Sequence, residues 1–326
     1  MRLPWLLLIC LLLFCCGCNT LYQLSVFRQM FGKDDDEVDT YPFIGVWADV
    51  EHMPLPRAAA CAAIGSKIYV CGGEDASGAL DTVEEYDTDA DAWTPLCSLP
   101  APATGHACVA LDDKIYMVGG TGGSHVYDPA GDSWGPITGP QPVSHACAAA
   151  LDGKIYLFGG KLDSGITCAS AQEYDPLLDT WTDCAFMPGS RAGAFCETAG
   201  ANIYVIGGVN NPDGGGPDAF TDSVFEYIPA LDYWSQKESM SEARAFGCSG
   251  VVNGRIVVAG GFDGTYPGIS TVAIYNPVWN YWQALRSEPS SRSFTCGAAI
   301  GTRVYVIGGK VGEASYTALT REFISP

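Results

Sequence analysis

Six short apolar runs along this 326-residue chain each end in a Gly-Gly pair: Gly72-Gly73, Gly119-Gly120, Gly159-Gly160, Gly207-Gly208, Gly260-Gly261 and Gly308-Gly309. The pairs lie 40 to 53 residues apart. A repeat of that period belongs to propellers and solenoids. The runs read Lys67-Ile68-Tyr69-Val70, Lys114-Ile115-Tyr116-Met117, Lys154-Ile155-Tyr156-Leu157, Asn202-Ile203-Tyr204-Val205, Arg255-Ile256-Val257-Val258 and Arg303-Val304-Tyr305-Val306. Short, unbroken, β-rich stretches of this kind are strands buried on both faces.

Five of the runs are followed by a turn, at Tyr86-Asp87, Tyr127-Asp128-Pro129, Tyr174-Asp175-Pro176, Tyr227-Ile228-Pro229 and Tyr275-Asn276-Pro277. A tryptophan closes each of these units: Trp93, Trp134, Trp181, Trp234 and Trp282. Taken together the pattern resembles the Kelch family over residues 45–326. The resemblance implies four antiparallel strands per blade, a to d from the axis outward, with the strand-d tryptophan packed between blades. Six units fit, so the expected fold is all-β, a six-bladed β-propeller.

The last unit stops at Pro326 without a tryptophan, whereas Gly45-Val46-Trp47 and His52-Met53-Pro54 copy the tryptophan strand and the Met-Pro exit of the third unit. The N-terminal strand is therefore expected to complete the last blade. That pairing ties the chain ends together and removes open sheet edges.

Ahead of the propeller, Met1-Arg2 and the apolar run Leu3 to Phe14 read as an export signal, too short for a comfortable membrane span. Its end, Cys15-Cys16-Gly17-Cys18-Asn19, resembles the bacterial lipoprotein signal, with Cys18 as the acylated residue. Cys15 stands where that signal usually has Leu, so a plain secretory signal and a retained anchor stay open. Residues 1–18 are thus assigned to the signal, 19–44 to an acidic tether carrying Asp34-Asp35-Asp36-Glu37, and 45–326 to the propeller. The expected location is the cell envelope or outside the cell, with membrane contact only through a lipid or signal anchor.

Charge narrows the partners. The formal net charge is −20, and such a field repels phosphate backbones, which argues against nucleic acid. No loop has the acidic spacing of a calcium site.

Six of the fourteen cysteines share one register, eleven or twelve residues before each Gly-Gly: Cys61, Cys108, Cys147, Cys196, Cys248 and Cys296. Their neighbours are small, as in Ala58-Ala59-Ala60-Cys61, so they read as small apolar side chains on crowded inner strands. Sheet spacing of up to ~10 Å argues against disulfides between blades. No metal site or cofactor is expected, because no zinc-type pair of cysteines two to four residues apart occurs in the mature chain. Cys168 and Cys184, on strands c and d of one blade, are the disulfide candidates, and Cys71 and Cys97 read as free thiols.

Binding is expected on the face carrying the b–c loops and d–a connections, where loop length varies most. Arg57, Arg191, Arg244 and Arg292 enter strand a from that face, with His106 and His145 in the units that lack the arginine. They are the candidate ligand-binding residues, forming a cationic mouth for an acidic ligand. The competing reading is that the arginines brace loops through backbone carbonyls. Phe246 and Phe294 would add apolar surface or ordinary packing.

Catalysis has little direct support, since nucleophile-elbow, zinc-protease and phosphate-cradle motifs are all missing. The sequence therefore reads as an exported, monomeric Kelch-repeat module that binds a protein or an acidic ligand through its loop face. The alternative is a carbohydrate-modifying enzyme, an epimerase or mutarotase of an acidic sugar, resembling the periplasmic sialic acid epimerase of the Kelch family in fold only.

Overall fold

The computed structural model describes residues 44–211 and 217–325; the signal segment with Cys18, and the tether up to Phe43, lie outside the described residues. Blade 1 is built from strands a to d at Ala58–Ile64, Lys67–Asp75, Val83–Asp87 and Ala92–Pro95. Blade 2 follows at Ala107–Leu111, Lys114–Val118, His125–Asp128 and Ser133–Pro136, and blade 3 at Cys147–Leu151, Lys154–Phe158, Ala171–Asp175 and Thr180–Asp183. Blade 4 is Phe195–Ala199, Asn202–Ile206, Val224–Ile228 and Tyr233–Lys237, and blade 5 is Cys248–Val252, Arg255–Ala259, Val272–Asn276 and Tyr281–Leu285. Blade 6 takes Cys296–Ile300, Arg303–Ile307 and Thr320–Ile324, and Val46–Asp49 supplies its strand d. The closing strand pairs antiparallel, Trp47 opposite Phe323.

Every blade is held to its predecessor by the same indole bond. Trp93 Nε1 donates to Glu51 O at 2.9 Å, Trp134 to Cys97 O at 3.0 Å and Trp181 to Thr138 O at 2.8 Å. Trp234 reaches Ala185 O at 2.7 Å, Trp282 reaches Glu238 O at 2.9 Å, and Trp47 completes the ring on Arg286 O at 2.9 Å. The turn tyrosines are buried and donate to an Asp or Asn two residues before the tryptophan, as Tyr86 does to Asp91 at 2.6 Å and Tyr275 to Asn280 at 2.7 Å. The same Asp91 oxygen accepts the Glu51 N–H of the neighbouring blade at 2.7 Å. These Asx residues sit at positive φ, a conformation that short polar side chains tolerate. Blade 6 is interrupted where this turn would lie. Its tyrosine is replaced by Phe323, which has no hydroxyl to satisfy, and the backbone carbonyl of Ile44 caps Arg286 N in place of the Asx side chain.

The Gly-Gly pairs bring blades into backbone contact. Gly160 N donates to Arg191 O of the next blade at 2.8 Å, and Gly208 N to Arg244 O at 2.8 Å. A Cβ at Gly159 would lie 2.2 Å from Arg191 O, so a side chain there would push blades 3 and 4 apart.

Candidate functional site

The four arginines do not form a mouth. Arg57, Arg191, Arg244 and Arg292 are 0%, 3%, 1% and 0% exposed. Arg191 Nη1 donates to Gly207 O at 2.9 Å and Ser223 O at 3.2 Å, while its guanidinium lies 4.4 Å over Phe225. Arg244 makes the equivalent bonds to Gly260 O at 3.3 Å and Thr271 O at 3.0 Å. Arg292 donates to Gly308 O at 3.0 Å, to Val306 O at 3.2 Å and to the carboxylate of Glu288 at 2.6 Å. Arg57 bonds Glu84 at 2.6 Å and Val70 O at 3.3 Å. Each ties strands b and c of its own blade together while its backbone carbonyl accepts from the Gly-Gly pair of the blade before. The expected cationic mouth is therefore corrected: each guanidinium is buried inside a blade, where it donates to carbonyls along or at the end of strand b and, in blades 4 to 6, at the start of strand c.

The histidines are also displaced from the expected register. The backbone bonds that the arginine carbonyls accept elsewhere are accepted here by Ala103 O, from Gly73 N, and by Val143 O, from Gly120 N, so those residues hold the arginine position in blades 2 and 3. His145 lies two residues further on and His106 three. Both line an axial cavity of about 280 Å3, whose wall is made by the first residues of strand a from all six blades. His106 is buried, with Nε2 3.1 Å from Cys71 O, and burial lowers its pKa to about 4. It is neutral at pH 7, so Nε2–H is the donor.

A collar of left-handed residues rings the mouth of this cavity. Among the described residues twelve non-glycine residues have positive φ, of which nine are Asp or Asn; the other three are His145, Phe246 and Phe294, with φ of 55°, 54° and 53°. They share one register in blades 3, 5 and 6, and Gly105 and Gly193 hold it in blades 2 and 4. A backbone chain links them: His145 N to Gly105 O, Gly193 N to His145 O, Phe246 N to Gly193 O and Phe294 N to Phe246 O, at 2.6 to 2.9 Å. A bulky residue in this region costs of order 1–3 kcal/mol, and such strain gathers where a site needs it.

The collar side chains form one aromatic wall. The rings of Phe246 and Phe294 stack at 4.5 Å, and His145 meets Phe246 edge-on at 5.6 Å. Phe246 lies across Gly193, where a Cβ would come within 2.3 Å of the ring. Lys310 Nζ sits 5.0 Å over Phe294 and pairs with Glu74 of blade 1 at 2.6 Å. On the other side Lys161 pairs with Asp218 at 2.9 Å. The lysines near the mouth are thus already matched by carboxylates.

Glu197, on strand a of blade 4, also lines the cavity and accepts a hydrogen bond from Ser249 Oγ at 2.7 Å. Burial pushes its pKa up to about 7, against the pull of the Ser249 hydroxyl. Sequence reasoning missed it, although it is the one charged residue in the six inner strands.

All six ring cysteines line the cavity and all are free. Contact with Cys296, then burial, raises Cys61, and burial raises Cys196 and Cys248, so these thiols stay protonated. Among the described residues no three His, Cys, Asp or Glu are placed to share a metal ion. The proposed Cys168–Cys184 bridge is absent, and both are free thiols. They face opposite ways: Cys168 packs with Val143 and Leu157 toward blade 2, and Cys184 with Ile203 and Tyr227 toward blade 4.

Fold, repeat bonds and mouth together define a six-bladed Kelch-type propeller. The model of the Attractin/LZTR1 beta-propeller family matches residues 68–266, and the chain belongs to that family. It is similar to beta-scruin of Limulus polyphemus, 35% identical over 100 residues, 30% of this chain and 11% of that protein. It is also similar to Kelch-like protein 26 of Danio rerio, 32% identical over 182 residues, 52% of this chain and 30% of that protein. The chain therefore spans less than a third of the length of either curated relative. Among solved structures, that of YjhT superposes with a TM-score of 0.71 at 18% identity, covering 83% of this chain and 95% of the other, a likeness of fold.

Proposed function

We propose that this chain is an exported binding module that takes a protein partner on its loop face, over the collar of His145, Phe246 and Phe294. The observation that carries the reading is the collar itself: three bulky residues held at positive φ around a cavity where glycine serves elsewhere. Rigid aromatic surface beside paired charges is the composition of interface hot spots. The Kelch-like relative supports a binding role by family alone. The arginines and lysines lend no support to an acidic small ligand, because the arginines are buried and Lys161 and Lys310 are paired. The test is capture from cell-envelope extract on immobilised protein, with Phe294→Ala and Lys310→Ala as comparisons. Retention of a partner by the parent and its loss from both variants is the expected result; equal retention by all three would remove the collar from the site.

One observation favours the enzyme as a second reading. A carboxyl held near neutrality in a cavity is a proton-carrying group of the kind active sites use. If Glu197 serves an epimerase or mutarotase, acidic sugars should raise the melting temperature of the parent protein, and Glu197→Gln should abolish turnover while leaving that shift in place.

A further inference from the structure

We infer that the outer rim of blades 3 to 5 rests on the surface of a zwitterionic lipid bilayer, which leaves the loop face pointing outward. The c–d turn is one element repeated, with six residues between the turn tyrosine and the tryptophan in each of blades 1 to 5. Differences among its copies are therefore not dictated by the fold. In blades 1 and 2 the two tip residues are Asp89-Ala90 and Ala130-Gly131. In blades 3 to 5 the same two positions are Leu177-Leu178, Ala230-Leu231 and Val278-Trp279. Leu177 is 94% exposed, Val278 84% and Trp279 74%, so these side chains contribute nothing to the core. A chain that gains no folding energy from exposed apolar tips on three successive blades is presenting them to something.

What covers it follows from where the chain enters. The residue before the strand-d tryptophan is Ala92, Ser133 and Thr180 in blades 1 to 3, but Tyr233, Tyr281 and Val46 in blades 4 to 6. Val46 opens the closing strand, so the polypeptide joins the propeller at the apolar end of this rim, and the sequence that leads into it is the one read as an export signal, a lipid attachment site and a tether. The surface inference rests on that export reading for its biological setting. Trp and Tyr among aliphatic tips suit the headgroup boundary. The lipid must be zwitterionic: the net charge is −20, and the rim turns of blades 1 and 2 carry Asp87, Asp89, Asp91, Asp128 and Asp132, which an anionic surface would repel.

The test uses residues 41–326, which include the whole closed ring and omit Cys18, so that rim binding and lipidation are read separately. Co-sedimentation with phosphatidylcholine vesicles should retain this fragment, and the triple change Leu177→Ser, Leu231→Ser, Trp279→Ser should weaken partitioning at least tenfold with an unchanged urea midpoint. Mixing phosphatidylglycerol into the vesicles should weaken it further. Absence of binding to phosphatidylcholine, or equal binding by the triple variant, overturns the inference. So does a concentration-dependent dimer that the triple change dissolves, which would make a second copy the occupant. Cys18→Ser in the full chain tests the lipid attachment by itself.

Discussion

Arg292 has three backbone acceptors and a buried carboxylate around one guanidinium, and Glu288, its partner, is itself 4% exposed. Removing the arginine strands that carboxylate, with only Arg321 at 3.4 Å to answer it. Arg292→Ala should therefore cost about 3–5 kcal/mol in urea unfolding. Arg191→Ala, which strands carbonyls but no acid, should cost about 1–3 kcal/mol. A change within about 0.5 kcal/mol, as at an ordinary surface site, would contradict the clamp. Glu197 gives a prediction in pH. Its folded-state pKa, about 7, lies above the ordinary value of ~4.3, so the folded chain holds this proton more tightly than the unfolded one. That stabilisation is complete below about pH 4 and is lost as pH rises through about 7. From pH 5 to pH 8 the parent should lose stability relative to Glu197→Gln, by an amount on the order of 1 kcal/mol or more. Parallel pH profiles would show that the carboxyl is not desolvated.

At the scale of the element, the closing strand has the most to lose. Val46–Asp49 pairs with Thr320–Ile324 and brings Trp47 against Phe323 at 5.0 Å. A fragment starting at Arg57 lacks these contacts and exposes a strand edge, so it should aggregate or melt well below one starting at Tyr41; equal melting would contradict closure. This strand was legible in the sequence because a tryptophan and a Met-Pro exit stood before the first Gly-Gly while the last unit lacked them. Repeats make such bookkeeping possible: each unit is a control for the others. The same logic failed for the histidines. Arg57, Arg191, Arg244 and Arg292 define a register, but nothing local shows that Ala103 and Val143, rather than histidines two or three residues on, occupy it in blades 2 and 3. The direction of the arginine heads was equally hidden, since burial depends on strand b and c carbonyls supplied 13 to 32 residues away. The Asp or Asn two residues before the strand-d tryptophan of blades 1 to 5 is visible in the sequence, but its meaning lies in the neighbouring blade.

For the whole molecule, a nearly sixfold frame carries an asymmetric surface. Indole bonds, Asx turns and inner strands repeat from blade to blade, whereas the collar, the Glu197 carboxyl and the apolar rim each occupy particular blades. Export would set these features in a membrane context: Cys18→Ser combined with the triple rim change should release the protein from membranes after secretion, and unchanged association would point to a retained anchor. The central claim is that the frame and the site are made by different residues, and the collar offers a direct measurement of it. His145→Gly and Phe294→Gly place at these positions the residue that blades 2 and 4 already use, and relieve a left-handed strain of roughly 1–2 kcal/mol each. Urea unfolding and partner retention should be measured together on both variants and on Arg244→Ala. The account predicts that the glycine variants keep or raise the unfolding midpoint and lose the partner, while Arg244→Ala lowers the midpoint and, where still folded, keeps it. Glycine variants that unfold early yet still bind would contradict it.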